Sequence, residues 1–523
     1  MPARLHPGVY VEEVPSAARA IEAAGTSTAI FVGETERGPL EPIRIVGRAD
    51  FERLFGGYRR HASAGGSQIV SLAYSIDAFF QNGGSTAYVL RAVSSTATAA
   101  GYTPSGHTSP LVVASSPGAW GNNLYSVLLT STSSSAESPR FRIIVFYKAP
   151  GSNQPKAVEN WDRLSTDGGD ENYVADVLQR SLYIRWASPS ATVATSLLLA
   201  GESAITDTTR NQYALQTGAG GDVDLAVSDF GKLLEGLDGV SDAALLVVPA
   251  RIYDSDDSNR LLQQAALSYA EARPQQDLFC IADMPRQSSE KTASDATNKT
   301  VTAFGNLSPK TTLGAIYFPW LEISDPMGVG RDPVLVVPPS GFVAGIYSRT
   351  DARRGVWKAP AGLDATLLGL RKVEHKLLDA HQDALNPLGI NVIRVQPAAG
   401  AVVWGSRTLR PDSEWRYVPV RRTAIFLRKS IYNSIQWAVF EPNDQNLWAS
   451  LRVTITAFME QLFRQGAFAG KTTREAFFVK CDEETTPEAD QIAGIVNVWV
   501  GFAPLRPAEF VVVKLSQIVN QKA

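Results

Sequence analysis

The spacing of apolar positions changes character several times along this chain. TAIFVG (28–33) is a continuous apolar run of buried-strand length. Residues 68–81 place Ile69, Leu72, Ala73, Ile76 and Phe80 on one helical face, which Asn82-Gly83-Gly84 stops, and AYVLRAV (87–93) reads as a second strand. From Ser94 to about Pro139 the chain is rich in Ser, Thr, Ala and Gly, with strand-like runs at LYSVLLT (124–130) and RFRIIVFYK (140–148); TGAGGDVD near Gly220 marks a linker. Residues 222–338 then alternate apolar runs, ALLVVPA (244–250), DLFCIAD (277–283) and GAIYFPW (314–320), with an amphipathic stretch at 258–272, the pattern of a parallel sheet wrapped by helices. Residues 363–384 read as a helix ending before Asn386-Pro387. Residues 447–465 read as another, with Trp448, Leu451, Ile455, Phe458 or Met459, and Leu462 at helical spacing and Gly466 as cap. Both chain ends look like strands: Tyr10, Val11, Glu12, Glu13 and Val14 lie between Pro7 and Pro15, and 507–519 carries Phe510, Val511, Val512, Val513 and Leu515.

At 523 residues the chain exceeds what one core supports, which predicts about three domains. A net charge of −3 offers no general cationic surface, so nucleic acid is not an expected partner. Cys280 and Cys481 have no second cysteine at metal or disulfide spacing and are expected to be free thiols. MPARLHPGVYVEE has no apolar signal region and no run reaches membrane-spanning length, so the expectation is synthesis in the cytoplasm without a signal peptide and no membrane insertion.

Candidate chemistry is sparse. Gly466 to Thr472 (GAFAGKT) imitates a phosphate-binding loop, but it has three residues between its glycines where four are needed, and it follows a helix instead of a strand. Five histidines occur, none beside a nucleophile motif. His375 and His381 fall on the helix read at 363–384 but are six residues apart, too far for one metal-binding face. No catalytic, metal or cofactor set emerges, and the expectation is a chain that is not an enzyme. Charge does segregate: Arg407, Arg410, Arg416, Arg421, Arg422, Arg428 and Lys429 face only Asp412 and Glu414 nearby, while Asp482, Glu483, Glu484, Glu488 and Asp490 crowd one loop. Two readings stay open, solvated surfaces or complementary contact faces between protein subunits.

The stretch VPPSGFVAGIYSRTDARRGVWKAPAG (337–362) resembles a signature of contractile tail sheath proteins, with Pro338, Pro339, Gly341, Arg349, Asp351, Arg354, Gly355 and Trp357 as its marked positions. HPGVYVEEV (6–14), STAIFVGETERGPLEPIRI (27–45), SPGAWGNNL (116–124), YFPWLEISDP (317–326), NPLGINVIR (386–394), VVWGSRTL (402–409) and GAFAGKTTREAFFVKCDEET (466–485) resemble sheath elements in sheath order. From the residues themselves, Pro338 and Pro339 set an extended approach, Gly341 relieves a turn, and Arg349, Asp351, Arg353 and Arg354 form a charge cluster that either fixes backbone geometry or is a solvated network.

The resemblance implies a multidomain α/β (α+β overall) sheath protein. An extended arm (1–20) would precede an inner α/β domain built from 21–95 and 356–506. An outer β-rich insertion (96–220) and a subtilisin-like α/β domain (221–355) would be inserted in it, and a terminal strand arm (507–523) would follow. It implies a homo-oligomer, a helical array of hexameric rings around an inner tube protein, with baseplate and tail terminator or cap proteins as further partners, in a phage tail or phage-like particle. The arms would interlace neighbouring subunits. A membrane-anchored secretion apparatus recycled by an unfoldase and an α/β hydrolase are the rival readings.

Overall fold

The computed structural model describes residues 20–61, 68–134, 140–187, 193–220, 225–252, 255–287 and 289–510. The chain is mixed α/β with several sheets. It divides into two units: one comprises residues up to 24, 355–358 and 422 onward, the other 25–354 and 359–421. No helix among the described residues is long and apolar enough to cross a membrane.

The larger unit is organised by an eight-stranded sheet. From one edge to the other its strands are Gly400–Val403, Ile390–Gln396, Gly314–Phe318, Phe279–Asp283, Leu245–Val247, Ala29–Glu34, Ala87–Ala92 and Ile43–Ile45. The outermost pair at each edge is antiparallel and the interior is parallel. All six residues of Ala29–Glu34 are buried, as an apolar run flanked on both sides by other strands requires. That placement overturns one expectation. Ala29, Ile30 and Phe31 pair in register with Leu245, Leu246 and Val247, so 25–95 shares one sheet with strands of 221–355 as well as with Ile390–Gln396 and Gly400–Val403, while the part of 356–506 from 422 onward falls in the other unit. Two-sided burial of TAIFVG could be met only in the middle of a parallel sheet, and the later strands supply its second neighbour.

The signature folds differently from its sequence reading. Ser340–Arg354 is a helix, so Gly341 relieves no turn. A Cβ at Gly341 would stand 2.3 Å from the Ser75 carbonyl oxygen, and one at Gly345 2.6 Å from that of Phe79. Both glycines let this helix press against Leu72–Gln81 at backbone distance. The first turn is held from below: the buried Asp283 carboxylate accepts from the Ser340 amide (2.8 Å), the Ser340 hydroxyl (2.7 Å) and the Ala250 amide (3.0 Å). Burial nevertheless pushes Asp283 up to about 6, against the lowering effect of those three donors. At the far end Arg349 donates to the Thr366 carbonyl (2.6 Å), Arg354 lies 3.9 Å from Asp364 with both exposed, and Gly355 adopts φ +85 with the Trp357 ring where a Cβ would go.

The helix read at 363–384 forms only over Asp379–Leu385. Gly362 and Gly369 are left-handed (φ +103 and +82), and residues 362–367 instead run along the sheet edge: Gly362 donates to Val403 (2.9 Å), Val403 to Ala365 (3.1 Å) and Leu367 to Ala401 (2.9 Å). His375 and His381 therefore share no helix. His381 Nδ1 caps the short helix by accepting from the Leu378 amide (2.9 Å), and His375 is buried against Phe318, which pushes its pKa down.

Residues 99–215 carry their own hydrophobic core around Trp120, Tyr147 and Trp186, with two three-stranded sheets. Arg91, fully buried, ties this module to the main sheet by donating to Gly38 O (3.1 Å), Ser116 Oγ (3.1 Å) and Pro117 O (2.9 Å).

The smaller unit packs around Gln445–Arg464, whose N-terminus is capped by Asp444 accepting from the Asn446 and Leu447 amides (2.9 Å each). Those bonds hold the Asp444 carboxyl below the usual range. Leu451, Ile455, Phe458, Met459 and Leu462 form the buried stripe, and Gly466 (φ +77) ends it. Val356 enters the same core from residues 355–358, the short signature segment that belongs to this unit. Cys280 and Cys481 are both buried free thiols.

Candidate assembly surfaces

The smaller unit carries a two-stranded antiparallel sheet, Phe477–Lys480 against Trp499–Phe502, with unbroken register from Phe477↔Phe502 to Lys480↔Trp499. Phe477, Val479, Val500 and Phe502 pack on the hydrophobic cluster, while Phe478 (58% exposed) and Trp499 (55%) stand on the outer face. Among the described residues no third strand joins this ladder. Two strands alone are marginal in water, and each open edge offers a row of main-chain donors and acceptors to another strand. The Lys156–Leu164 edge of the module contrasts with it: two register shifts and the residues Lys156, Glu159, Asp162 and Arg163 break up that ladder, as a protected edge requires.

The chain enters and leaves the described structure on this same unit. Ile21 is buried in its core, and on the C-terminal side Ala503 donates to Ala476 O (2.8 Å) and accepts from the Ala469 amide (2.9 Å). Phe510, where the described chain ends, is 75% exposed. Tyr10 to Val14 and Val511, Val512, Val513 and Leu515 lie outside the described residues.

The two charge clusters survive only in part as surfaces. Arg416 and Arg428 are exposed, and Arg421 is half-buried over the Trp415 ring, 5.1 Å away. Arg422 (3% exposed) and Lys429 (5%) are buried, which removes them as contact residues: seven apart on the helix Val418–Ser434, they share its inward face. In the acidic loop Asp482 accepts from the Glu484 (3.0 Å) and Thr485 (3.2 Å) amides, Glu484 pairs with Lys480, and Glu483 accepts from Gln445 (2.9 Å). Its charge is therefore partly neutralised at home.

The phosphate-loop imitation is closed by its own contacts. The Ala467 amide donates to Leu462 O (3.1 Å), that of Ala469 to Ala503 O (2.9 Å), and that of Lys471 to the Glu475 carboxylate (2.8 Å). A carboxylate already sits where an anion would have to enter, and the amides that would cradle it point elsewhere. We expect no saturable ATP binding by the purified protein in calorimetry, and no change on Lys471→Ala; stoichiometric binding lost in that variant would reverse this. Ser340, at a helix N-terminus in a parallel α/β body, has the place of a hydrolase nucleophile, but its hydroxyl is sealed on Asp283 and fully buried.

The open ladder was not anticipated as a pair. Phe477–Lys480 and Trp499–Phe502 are separated by eighteen residues, which hides a hairpin whose signal normally lies in a turn of two to five. Alternating apolar residues at 477, 479 and 500, 502 were the available clue.

Comparison with known proteins matches residues 228–409 to the phage tail sheath protein central domain and residues 410–518 to the phage tail sheath C-terminal domain. The tail sheath protein of Vibrio phage KVP40 is 30% identical over 153 residues, 29% of this chain and 22% of that protein. A putative prophage major tail sheath protein of Pseudomonas aeruginosa (strain UCBPP-PA14) is 26% identical over 174 residues, 33% of this chain and 44% of that protein. The aligned regions thus span less than half the length of these two relatives. Among solved structures, the contracted sheath of the PVC extracellular contractile injection system aligns over 100% of both chains at 22% identity and TM-score 0.59. The contracted helical sheath of the anti-feeding prophage aligns over 98% of this chain and 100% of its own at 23% identity and TM-score 0.57.

Proposed function

Because this chain belongs to the phage tail sheath family, whose central and C-terminal domains follow one another without a gap from 228 to 518, we propose that it is a structural subunit of a contractile sheath. It polymerises as hexameric rings in a helical array around an inner tube, bounded by baseplate and terminator or cap proteins, within a phage tail or phage-like particle. Contraction drives the tube through a target envelope. The reading is non-enzymatic and uses no cofactor, nucleic acid or membrane insertion.

The observation that carries the assembly mechanism is the open-edged ladder Phe477–Lys480 and Trp499–Phe502, on the unit from which both chain ends emerge. Strands from the ends of neighbouring copies, Tyr10 to Val14 and Phe510 to Leu515, would complete it by main-chain hydrogen bonding. Such bonds tolerate rotation of the donor body on its linker, so subunits stay joined while they slide. The stroke draws on surface newly buried at roughly 25 cal/mol per Å², a modest gain per subunit summed over many coupled copies. The remaining surface charges, Arg416, Arg421 and Arg428 against Asp482, Glu483 and Glu484, would set register between protein faces more than affinity. On this reading the parallel strands and helices of 221–355 form the subtilisin-like part of the body, and the module at 96–220 faces outward.

Negative-stain electron microscopy of the assembled full chain is expected to show sixfold rings stacked into tubes, and a strictly monomeric chain at all concentrations would refute the reading. In assembled material, protease is expected to cut first within 96–220, whose Ser/Thr-rich loops are exposed on the outside. First cleavage within Gln445–Arg464 would show that the orientation is reversed.

A further inference from the structure

We propose that residues 20–24 form a clasp that holds the root of the N-terminal arm to the subunit that donates it, a positioning role that rests on the sheath reading above. Ile21 is buried in the cluster that includes Phe426, Leu427, Ile455 and Phe458. On the following residues the Glu22 amide donates to Ser434 Oγ (3.2 Å) and the Ala24 amide to Ser430 Oγ (2.9 Å). The spacing is matched: two residues of extended chain advance about 6.7 Å and four residues of helix about 6 Å, so alternate amides of the arm meet hydroxyls one turn apart. Ser430 donates its own proton to Phe426 O (2.8 Å), which orients its lone pairs outward toward Ala24.

Glu22 and Ala23 are exposed, so the clasp consists of one apolar plug and two hydrogen bonds. Its consequence is mechanical. With it, the arm leaves the subunit at residue 20; without it, the chain is held at Ser27, whose carbonyl accepts from Ser348 Oγ (2.9 Å), and Thr28, whose carbonyl accepts from the Ala244 amide (2.9 Å). Releasing residues 21–25 adds about 17 Å of slack to the tether. An arm strand in a neighbour's ladder would then hold its owner at lower effective concentration and transmit rotation only after the slack is taken up.

The full chain is compared with Ile21→Ala, with the double variant Ser430→Ala/Ser434→Ala and with Ser430→Thr, which keeps the hydroxyl. Two quantities are read: hydrogen exchange at the Glu22 and Ala24 amides, and the yield of pelletable tubes checked by electron microscopy. Both disrupting variants are expected to speed exchange at least tenfold and cut tube yield at least tenfold, while Ser430→Thr retains both. If Ile21→Ala fails to fold, the serine double variant decides, since it removes two hydroxyls and no apolar volume. Faster exchange with unchanged tube yield overturns the clasp alone. Normal tubes from a chain lacking residues 1–15 would instead overturn the arm-exchange reading, and the clasp with it.

Discussion

Removing residues 1–15, or everything after Pro507, is expected to leave a folded, soluble chain that forms neither rings nor tubes. The folded part should survive because neither segment contributes to a core among the described residues: the large sheet begins at Ala29, and the smaller unit is closed by Ile21, Val356 and the stripe on Gln445–Arg464. Assembly should be lost because either end is long enough to leave its own subunit. Nineteen residues before residue 20 can span about 60 Å, and thirteen after 510 about 40 Å, both longer than the radius of a domain of this size. Each truncation removes one strand from every ladder of the array, so the effect compounds with the number of copies and should appear as all or none. Sedimentation followed by electron microscopy reads it directly. Regular sheath from either truncated chain would show that this arm links nothing, and the other arm would be tested separately.

Legibility in the sequence followed the physics of each segment. Runs that are apolar on both faces, such as Phe279–Asp283 and Gly314–Phe318, could be read as central strands because nothing but a parallel sheet buries them twice over. The long helix Gln445–Arg464 was equally plain, with its stripe and its glycine stop. What failed was non-local. The partner of Ala29–Glu34 lies more than two hundred residues away, and no periodicity names it. At 363–384 the leucines occur at helical spacing, but Gly362 and Gly369 take left-handed turns and the backbone amides are spent on the sheet edge, so Leu363 and Leu368 end exposed. Charge misled in the same way: Arg422 and Lys429 read as surface because they are ionic, and a helix face turned inward buried them. The P-loop imitation was rejected from its glycine spacing and the helix before it, and the structure adds a further reason in Glu475.

The signature glycine at 341 should be among the least replaceable residues of the larger unit. In an exposed helix interior, exchanging Gly for Ala gains about 1 kcal/mol, because the unfolded chain loses conformational freedom and the helix is intrinsically favoured. At Gly341 that gain meets a wall of backbone: the new methyl carbon would lie 2.3 Å from Ser75 O and 2.6 Å from Ser75 Cα. No rotamer change relieves a clash with main chain, so Leu72–Gln81 and Ser340–Arg354 would have to separate. That movement disturbs the buried side chains beneath both helices and the Asp283 cap. Overpacking of this kind costs about 3 kcal/mol or more, so it outweighs the propensity gain and Gly341→Ala should destabilise by about 2 kcal/mol. Gly341→Val, with two further methyl groups at the same contact, should fail to fold. Gly231, within the helix Val227–Glu235, supplies the opposite sign: nothing lies within 4 Å of its hypothetical Cβ, and Gly231→Ala should stabilise by about 1 kcal/mol. Urea unfolding of the two alanine variants side by side separates packing from propensity. Equal stabilisation at both positions would mean that the two helices do not approach each other at backbone distance.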